Sequence, residues 1–210
     1  MTAFEREVLR YLGNAAPDAR LMELIASVEA EMRRDIRPRG VRRRLTVAVG
    51  GTGVQVEGFY LESRALAQNL CGCREACFAA ATLGAEADRL LRRYAALDLP
   101  RAAVWQGACA AYLEEYLNGM EAALRAEAPG LYLRPRFSPG YGDLDISNQQ
   151  AMFSLLELEK RLGLSLTPAQ MMLPEKSVTA IIGLSKEPRK AAGGCASCAK
   201  TDCPNRRKEA

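Results

Sequence analysis

Hydrophobic residues recur at helical spacing in several stretches of the chain. In residues 19–34 the apolar positions fall three or four residues apart, and Asp18 precedes them as a capping residue. Pro100 suits the first turn of a long, alanine-rich helix, while Ser147 and Gly163 bound a later one. The pattern predicts helices over residues 4–12, 19–34, 64–70, 85–98, 100–127 and 148–162.

From Leu45 the hydrophobic period changes to two. The stretch LTVAVGGTGVQVEGFYL predicts two strands joined by a turn at residues 50–53, and apolar runs at 77–84, 171–173 and 178–184 predict further strands. Residues 131–143, rich in proline and glycine, are expected to be extended and loop-like. Helices, a hairpin and then mixed elements, without repeats or a long linker, predict a single α+β domain.

The end of the chain differs from the rest. Residues 188–210 contain almost no large apolar side chain and cannot fold by burial alone, so we predict a domain over residues 1–187 and a cysteine-bearing tail over 188–210. The tail carries Cys195, Cys198 and Cys203 in a C-x2-C-x4-C pattern, which suits an iron–sulfur cluster or a zinc ion. Three exposed thiols on a tail are the alternative. A metal would need a fourth ligand from elsewhere.

Composition limits the chemistry. The chain has 210 residues, is 49% hydrophobic and 26% charged, and contains seven cysteines but no histidine. Without an imidazole, Ser-His-Asp, Cys-His and HExxH sites are excluded. The N-terminus lacks the apolar core of a signal peptide and no stretch reaches 18 apolar residues, so we expect a cytoplasmic chain without membrane association. For a cytoplasmic chain, the odd number of cysteines favours reduced thiols or a metal site over disulfides.

The net charge of +4 arises largely from one arginine cluster near Asp35. The cluster comprises Arg33, Arg34, Arg37, Arg39, Arg42, Arg43 and Arg44. No aromatic residues are interleaved with these arginines, so a stacking groove for single-stranded nucleic acid is not indicated. A solvated loop and strand edge is favoured over a docking patch. If the cluster docks a partner, an acidic protein is as suitable as nucleic acid.

Other candidate residues lie in the middle of the chain. Cys73 and Cys77 would share a face if helical, with Cys71 outside that register, and packing is favoured for this group. Cys109 is expected in the core. Of Glu114 and Glu115 on the long helix, one is expected to face inward and the other solvent. The stretch RFSPGYGD (136–143) offers a guanidinium beside a Pro-Gly-Tyr turn, which could bind a carboxylate.

Together with residues 144–184, that stretch resembles a known family. The sequence here resembles the S-adenosylmethionine-binding activation domain of cobalamin-dependent methionine synthase. Three stretches carry the resemblance: RFSPGYGD, a helix ending LELEKRLGLSLT, and MMLPEKSVTAIIG. Two further stretches, REVLRYLG and ATLGAEADRL, resemble the short, free-standing members of that family. The family pattern is Arg, three residues, Gly-Tyr, a helix, a Leu-Thr step and Pro-x-x-Ser-Val. Its positions here are Arg136, Gly140, Tyr141, Leu166, Thr167, Pro174, Ser177 and Val178.

The resemblance implies a C-shaped α+β domain with a mixed or antiparallel sheet and a groove for S-adenosylmethionine. By position, Arg136 would hold the methionine carboxylate and Glu114 would lie near the cationic groups. The loop Ser138, Pro139, Gly140 and Tyr141 would supply backbone contacts, with Tyr141 beside the ligand. The methyl donor would serve a cobalamin on a separate methyltransferase chain, with a flavodoxin-like or ferredoxin-like protein as reductant.

Two departures from the family bear on function. The chain lacks the other modules of the full-length enzyme and has no histidine to serve as an axial cobalt ligand. The family's later ligand-contacting tyrosine has no counterpart, because the chain enters the cysteine tail instead. The expected function is therefore an accessory reactivation protein. The alternatives are an iron–sulfur protein that reduces a corrinoid partner, or a scaffold for the methyltransferase without a ligand; nucleic-acid binding ranks last.

Overall fold

Within the part of the chain that the structure describes, seven α-helices form, most of them where capping residues and hydrophobic spacing predict them. The computed structural model describes residues 1–13 and 17–188. Its helices are α1 (Ala3–Tyr11), α2 (Ala19–Asp35), α3 (Arg64–Asn69), α4 (Ala85–Leu97), α5 (Leu99–Glu127), α6 (Gln149–Leu156) and α7 (Leu158–Leu162). The side chains of Thr2, Asp18 and Ser63 each accept a hydrogen bond from the backbone of the first turn of the adjoining helix. The first five predicted helices are confirmed.

Nine strands in the described ranges form three antiparallel sheets. The strands are β1 (Arg39–Thr46), β2 (Ala48–Val49), β3 (Gly53–Val56), β4 (Phe59–Glu62), β5 (Glu75–Thr82), β6 (Tyr132–Leu133), β7 (Ser165–Leu166), β8 (Met172–Leu173) and β9 (Ser177–Ser185). The largest sheet has the order β1-β5-β9-β6; β2-β3-β4 and β7-β8 form the others. The α+β fold class predicted from the sequence is confirmed.

The four-stranded sheet separates two hydrophobic layers. On one face Phe78 and Ile181 pack with α3, α6 and the β2-β3-β4 sheet. On the other, the α1, α2, α4 and α5 helices pack around Trp105, whose indole N–H donates to the Ala87 carbonyl at 3.0 Å. Gly40 of β1 allows the close approach of α5, because a Cβ there would lie 2.8 Å from the Tyr116 ring. The long helix is thereby held flat against the sheet.

Two local predictions are wrong. Residues 45–61 form three short strands after β1 instead of two, because Glu57 and Gly58 make a second tight turn with positive φ angles. The predicted helix 148–162 is divided at Glu157, which adopts a left-handed conformation with φ 51°. Its start also differs: Ser147 does not cap α6, and Asp145 instead caps a 3-10 turn, Ile146–Asn148, that precedes α6; the Asp145 carboxylate accepts from the Ser147 backbone at 2.8 Å.

The arginine cluster is structural at several positions. Part of it forms β1, an element that begins at Arg39 and not at Leu45 as predicted. Arg39 donates to the carbonyl of Leu162 at 2.9 Å, and Arg43 donates to that of Leu155 at 2.6 Å. These carbonyls lie at the ends of α7 and α6, where helices have unpaired acceptors and favour cations. The arginines therefore hold the two helices against β1.

None of the helices in the described ranges is both long and apolar enough to cross a membrane.

Candidate functional site

The segment Arg134–Phe137 lies along β9. Its backbone runs beside that strand: the Arg134 N–H donates to the Gly183 carbonyl at 2.8 Å, and Phe137 exchanges two hydrogen bonds with Ile181, at 3.0 and 2.7 Å. Side chains alternate in such an extended segment. Phe137 therefore enters the core beside the β2-β3-β4 sheet, whereas Arg136 points to the opposite face, where α5 lies.

Arg136 is surrounded by polar side chains of α5. Its Nη2 atom donates to Glu114 at 2.9 Å and to Asn118 at 3.0 Å, and its Nε atom lies 3.2 Å from a Glu121 carboxylate oxygen. The guanidinium is 23% exposed, so the group is half-buried and open on one side. Its Nη1 atom is buried and has no hydrogen-bond partner in the described part of the chain. This donor is thus unused within the described part of the chain, while the two carboxylates contact the other nitrogens.

A cavity opens beside this cluster. It has a volume of about 320 Å³ and is lined by the start of α1, with Phe4 and Glu7, and by Glu114, Glu115 and Asn118 of α5. Glu114 and Asn118 thus face both the cavity and Arg136. Glu115 is half exposed and pairs with Arg33 at 2.9 Å. The structure confirms that one glutamate of the pair faces inward and that the other faces solvent.

The Ser138–Tyr141 loop is a tight turn joined to the sheet. The Ser138 hydroxyl donates to the Thr179 carbonyl at 2.7 Å, and Pro139 is buried. Gly140 has φ 86°, a conformation that favours glycine, and its N–H donates to Leu144. The Tyr141 N–H donates to Ser138. The amides of Gly140 and Tyr141 are therefore used within the turn, and other groups of the loop remain for a ligand.

The ring of Tyr141 is 67% exposed and packs edge-on against Phe137, with centroids 5.2 Å apart. Phe137 belongs to the hydrophobic layer away from α5. The structure thus brings Arg136 and Glu114 into direct contact and places Tyr141 at the surface of the adjoining loop.

Asp143 anchors the far end of this loop. Its carboxylate accepts from the Ser63 hydroxyl and from the backbone of Arg64 and Ala65, at 2.9 and 3.1 Å. The hydrogen bond from Ser63, with those backbone amides, holds the pKa of Asp143 below its usual value. A separate cleft of about 680 Å³ lies here between β4 and the loop, lined by Tyr60, Arg64 and Asp145 among others. Arg136 does not line that cleft.

Sequence reasoning missed two contacts of Arg136. Asn118 and Glu121 lie four and seven residues after Glu114, which places all three on one face of α5. That spacing was a usable signal, since a polar row on a helix otherwise rich in alanine has to face either solvent or a charged partner.

Of the four cysteines that the structure describes, three are buried and Cys71 is exposed. Cys73 and Cys77 do not share a helical face, because Cys77 lies in β5 and the two thiols pack in different hydrophobic clusters. Burial raises the pKa of Cys77 to about 11 and that of Cys109 to about 12. Packing is thus the role of these two side chains.

No group of three or more metal-ligating cysteines and carboxylates occurs within residues 1–13 and 17–188. The predicted tail ligands Cys195, Cys198 and Cys203 lie outside the described residues, as does most of the predicted tail.

Comparisons with known proteins point to one family. Residues 108–197 match the family model described as the vitamin B12 dependent methionine synthase activation domain. A search of curated proteins found no match. Among solved structures, the chain is similar to a crystal structure of the MetH reactivation domain bound to AdoHcy. The TM-score is 0.58 at 18% sequence identity, over 90% of this chain and 78% of that one.

The matched range begins within α5 and includes Glu114, the Arg136 segment and β9. The structural match covers 90% of this chain, and at 18% identity it shows the fold alone. The resemblance seen in the sequence is therefore confirmed: residues 108–197 carry the pattern of the vitamin B12 dependent methionine synthase activation domain, on a chain with the fold of a MetH reactivation domain.

Proposed function

We propose that the chain is an accessory reactivation protein that binds S-adenosylmethionine between α1, α5 and Arg136. The observation that carries the proposal is the arrangement around Arg136, where a half-buried guanidinium with an unpartnered Nη1 atom lies between carboxylates beside a cavity. The family match over residues 108–197 supports the choice of ligand.

The residues present suit a zwitterionic amino acid group. A ligand carboxylate could displace Glu114 from the Nη2 atom of Arg136, because a guanidinium forms paired hydrogen bonds with carboxylates. Glu114 would then be released to accept from the ligand ammonium group. S-adenosylmethionine supplies a methyl group on a positively charged sulfonium, and a Glu114 carboxylate released from Arg136 would face that cation from α5.

Arg136 and the Ser138–Tyr141 loop do not line the cavity of about 320 Å³, so a ligand held there would have to extend past Arg136 to reach the loop. Because the Gly140 and Tyr141 amides bond within the turn, contacts from Ser138, Pro139 and Gly140 would come from carbonyl oxygens or close backbone approach. The exposed ring of Tyr141 offers a flat apolar face for a purine. In this proposal the loop excludes water on one side of the ligand, and α5 holds its charged end on the other.

The methyl acceptor would be cobalamin carried by a separate methyltransferase chain, in methionine synthase or a similar enzyme. This chain has no histidine and so offers no imidazole to the cobalt. In the balanced reaction, cob(II)alamin, one electron and S-adenosylmethionine give methylcobalamin and S-adenosylhomocysteine. The electron would come from a flavodoxin-like or ferredoxin-like protein. The compartment expected for these partners is the cytoplasm.

Calorimetry with S-adenosylmethionine tests the site. The wild-type chain should bind, and Arg136→Ala should weaken binding at least about tenfold, because the charge-assisted bonds to the carboxylate are lost. Arg92→Ala, at an exposed position of α4, is the matched control and should bind like the wild type. Absence of binding to the wild type, or unchanged binding to Arg136→Ala, would refute the assignment.

A methyl-transfer assay with a corrinoid methyltransferase separates this role from its rivals. Activity that needs S-adenosylmethionine and falls with Arg136→Ala supports reactivation. Full activity of Arg136→Ala, with loss only in a variant of the three tail cysteines, would favour the iron–sulfur electron-transfer alternative. Co-purification with the methyltransferase in the absence of any S-adenosylmethionine binding would favour a scaffold.

A further inference from the structure

The turn between α3 and β5 carries two cysteines separated by a single glycine. The Cys73 N–H closes this turn on the Leu70 carbonyl at 2.9 Å, and Gly72 adopts φ 76°. A disulfide needs its two Cα atoms within about 7 Å of each other. Because consecutive Cα atoms are only about 3.8 Å apart, Cys71 and Cys73 on either side of the glycine of a tight turn suit a disulfide.

The two thiols of the turn differ in accessibility. Cys71 is exposed, whereas Cys73 is only 5% exposed and packs in the hydrophobic layer that contains Phe78. Burial raises the pKa of Cys73, and Arg134 acts in the opposite direction through a hydrogen bond and its charge. A reagent from solution therefore reaches Cys71 first, and Cys73 is placed to react with a group that Cys71 already carries.

A buried cation lies beside the inner thiol. A Cβ on Gly183 would lie 2.8 Å from the Cys73 sulfur and 2.9 Å from Cγ of Arg134, so both side chains pack on the same glycine. Arg134 is 9% exposed, and its Nε atom is buried without a hydrogen-bond partner in the described chain. Its Nη2 atom donates to two neutral groups, the Cys71 carbonyl and the Ser185 hydroxyl, each at 3.1 Å. A buried charge without a counter-ion is costly, and a thiolate at Cys73 would supply one.

We propose that Cys71 and Cys73 are a redox-active thiol pair that exchanges with small disulfides such as oxidised glutathione. The Cys71 thiolate attacks one sulfur of the small disulfide and expels one thiolate, which leaves a mixed disulfide on Cys71. The Cys73 thiolate, stabilised by Arg134, then attacks the Cys71 sulfur and expels the second thiolate. Two protein thiols are thereby oxidised to one disulfide, the small disulfide is reduced to two thiols, and these take up the two cysteine protons.

The turn suits reversible exchange better than a permanent cross-link. A disulfide that spans three residues closes a small ring, and exposed or strained disulfides are the readily reduced ones. Gly72 has no Cβ and can change its backbone conformation at little cost, which lets Cys71 turn from solvent toward Cys73.

The test uses the full reduced chain, prepared without oxygen and then mixed with oxidised glutathione. Acid quenching followed by N-ethylmaleimide traps the remaining thiols, and trypsin releases the peptide of residues 65–74, which contains both cysteines of the turn and no other. Its mass distinguishes two alkylated thiols, a glutathione adduct, and an internal disulfide that has lost two hydrogens. The wild type should pass through the adduct to the internal disulfide, and reduced glutathione should reverse the reaction.

Four variants assign the two steps. Cys71→Ser should slow the reaction of this peptide at least about 100-fold, because Cys73 is buried. Cys73→Ser should stop at the glutathione adduct. Arg134→Met should slow the conversion of the adduct to the internal disulfide at least about tenfold, and Arg134→Lys, which keeps the positive charge, should restore part of that rate.

Cys77→Ala is the matched control, since it removes a buried thiol outside the turn; it should react like the wild type. A variant with serine at the three tail cysteines separates exchange with those thiols from closure within the turn. Circular dichroism checks that each variant keeps the fold.

A wild-type adduct that persists without forming the internal disulfide, or a wild-type rate in Cys71→Ser, would overturn the proposal. Equal closure rates in Arg134→Met and the wild type would overturn the role given to Arg134. The measurements are made without S-adenosylmethionine, so their outcome is independent of the proposed function.

Discussion

Arg134 and Arg136 lie two residues apart on one extended segment, yet their surroundings are opposite. Arg136 meets Glu114, Asn118 and Glu121 at the rim of an open cavity. Arg134 is buried, donates to a carbonyl and a hydroxyl, and has no acidic neighbour within ion-pair distance among the described residues. A guanidinium with several exchangeable carboxylate partners suits ligand binding, whereas one with neutral partners in the interior holds structure together.

The difference arises from the elements that each arginine meets. The row of polar residues on α5 faces Arg136, while the turn after α3 and the end of β9 face Arg134. Gly183 makes the second environment possible, because a Cβ there would lie 2.8 Å from the Cys73 sulfur and 2.9 Å from the Arg134 side chain. The two arginines therefore differ in role because the elements that surround them differ.

The largest expected effect concerns the reactivity of the thiol of Cys71, the residue whose carbonyl accepts from Arg134. In the folded, metal-free protein at pH 8, iodoacetamide should modify Cys71 at least about 100-fold faster than Cys77 or Cys109, because burial both shields those thiols and raises their pKa values. Peptide mapping by mass spectrometry measures each rate. Comparable rates at Cys71 and Cys109 would mean that the core is open, and the contrast between the two regions would be lost.

The second-largest expected effect is the loss of stability on removal of the buried Arg134 guanidinium. Arg134→Met should lower the free energy of unfolding by about 2–3 kcal/mol, since the Cys71 carbonyl and Ser185 hydroxyl lose a charged donor in the interior. Urea denaturation of the metal-free protein measures the change. A loss below about 0.5 kcal/mol would show that Arg134 is not the structural tie that its contacts indicate.

A third arginine provides an intermediate case. Arg101 and the Tyr94 hydroxyl both donate to Glu31, which ties α5 and α4 to α2. Burial acts to raise the pKa of Glu31, but the bonds from Tyr94 and Arg101 outweigh it and hold that pKa below its ordinary 4.5. Glu31→Gln should cost about 1 kcal/mol at pH 7.

This contribution depends on pH with a definite sign. Because the folded-state pKa of Glu31 is depressed, its stabilisation is complete above the unfolded value and is lost as the pH falls through the folded value. The difference in urea stability between wild type and Glu31→Gln should therefore be larger at pH 7 than at pH 3. A difference that is constant between those pH values would contradict the ionic contribution.

The smallest effect on stability is expected at the ligand-binding arginine. Arg136→Met should change the free energy of unfolding by less than about 1 kcal/mol, because its ion pairs remain solvent-accessible. The same urea measurement applies, and Glu121→Gln should behave similarly. A loss as large as that of Arg134→Met would identify Arg136 as a structural residue and weaken its proposed role in binding.

Elements with strong local signals were predictable from the sequence. The caps Asp18 and Ser63 and the proline at the start of α5 each lie where the helices begin. The break at Glu157 was not predictable, because neither glycine nor proline marks it. It depends on tertiary packing, including the Arg43 contact with the last turn of α6. Likewise, β1 has too many charged residues for a strand pattern and forms through pairing with β5.

The candidate site was only partly predictable for a similar reason. Arg136 and Glu114 were identified through a resemblance, and the structure shows that they touch. The chain separates them by 22 residues, and only the packing of α5 on the sheet brings them together. The partners of Arg134 could not be found in this way, since a backbone carbonyl and a serine hydroxyl carry no charge pattern that a sequence displays.

The position of β1 at the edge of the main sheet has a consequence for solubility. Within the described chain it pairs only with β5, which leaves a row of unpaired backbone groups able to join a strand from another molecule. Four of its eight residues are arginines. Arg42, Arg43 and Arg44 form ion pairs with Glu127, Glu57 and Glu75, and a second strand added at this edge would crowd these charged side chains, so aggregation through this edge is disfavoured. The solvated strand edge that the sequence favoured thus also opposes the addition of a second copy to the sheet.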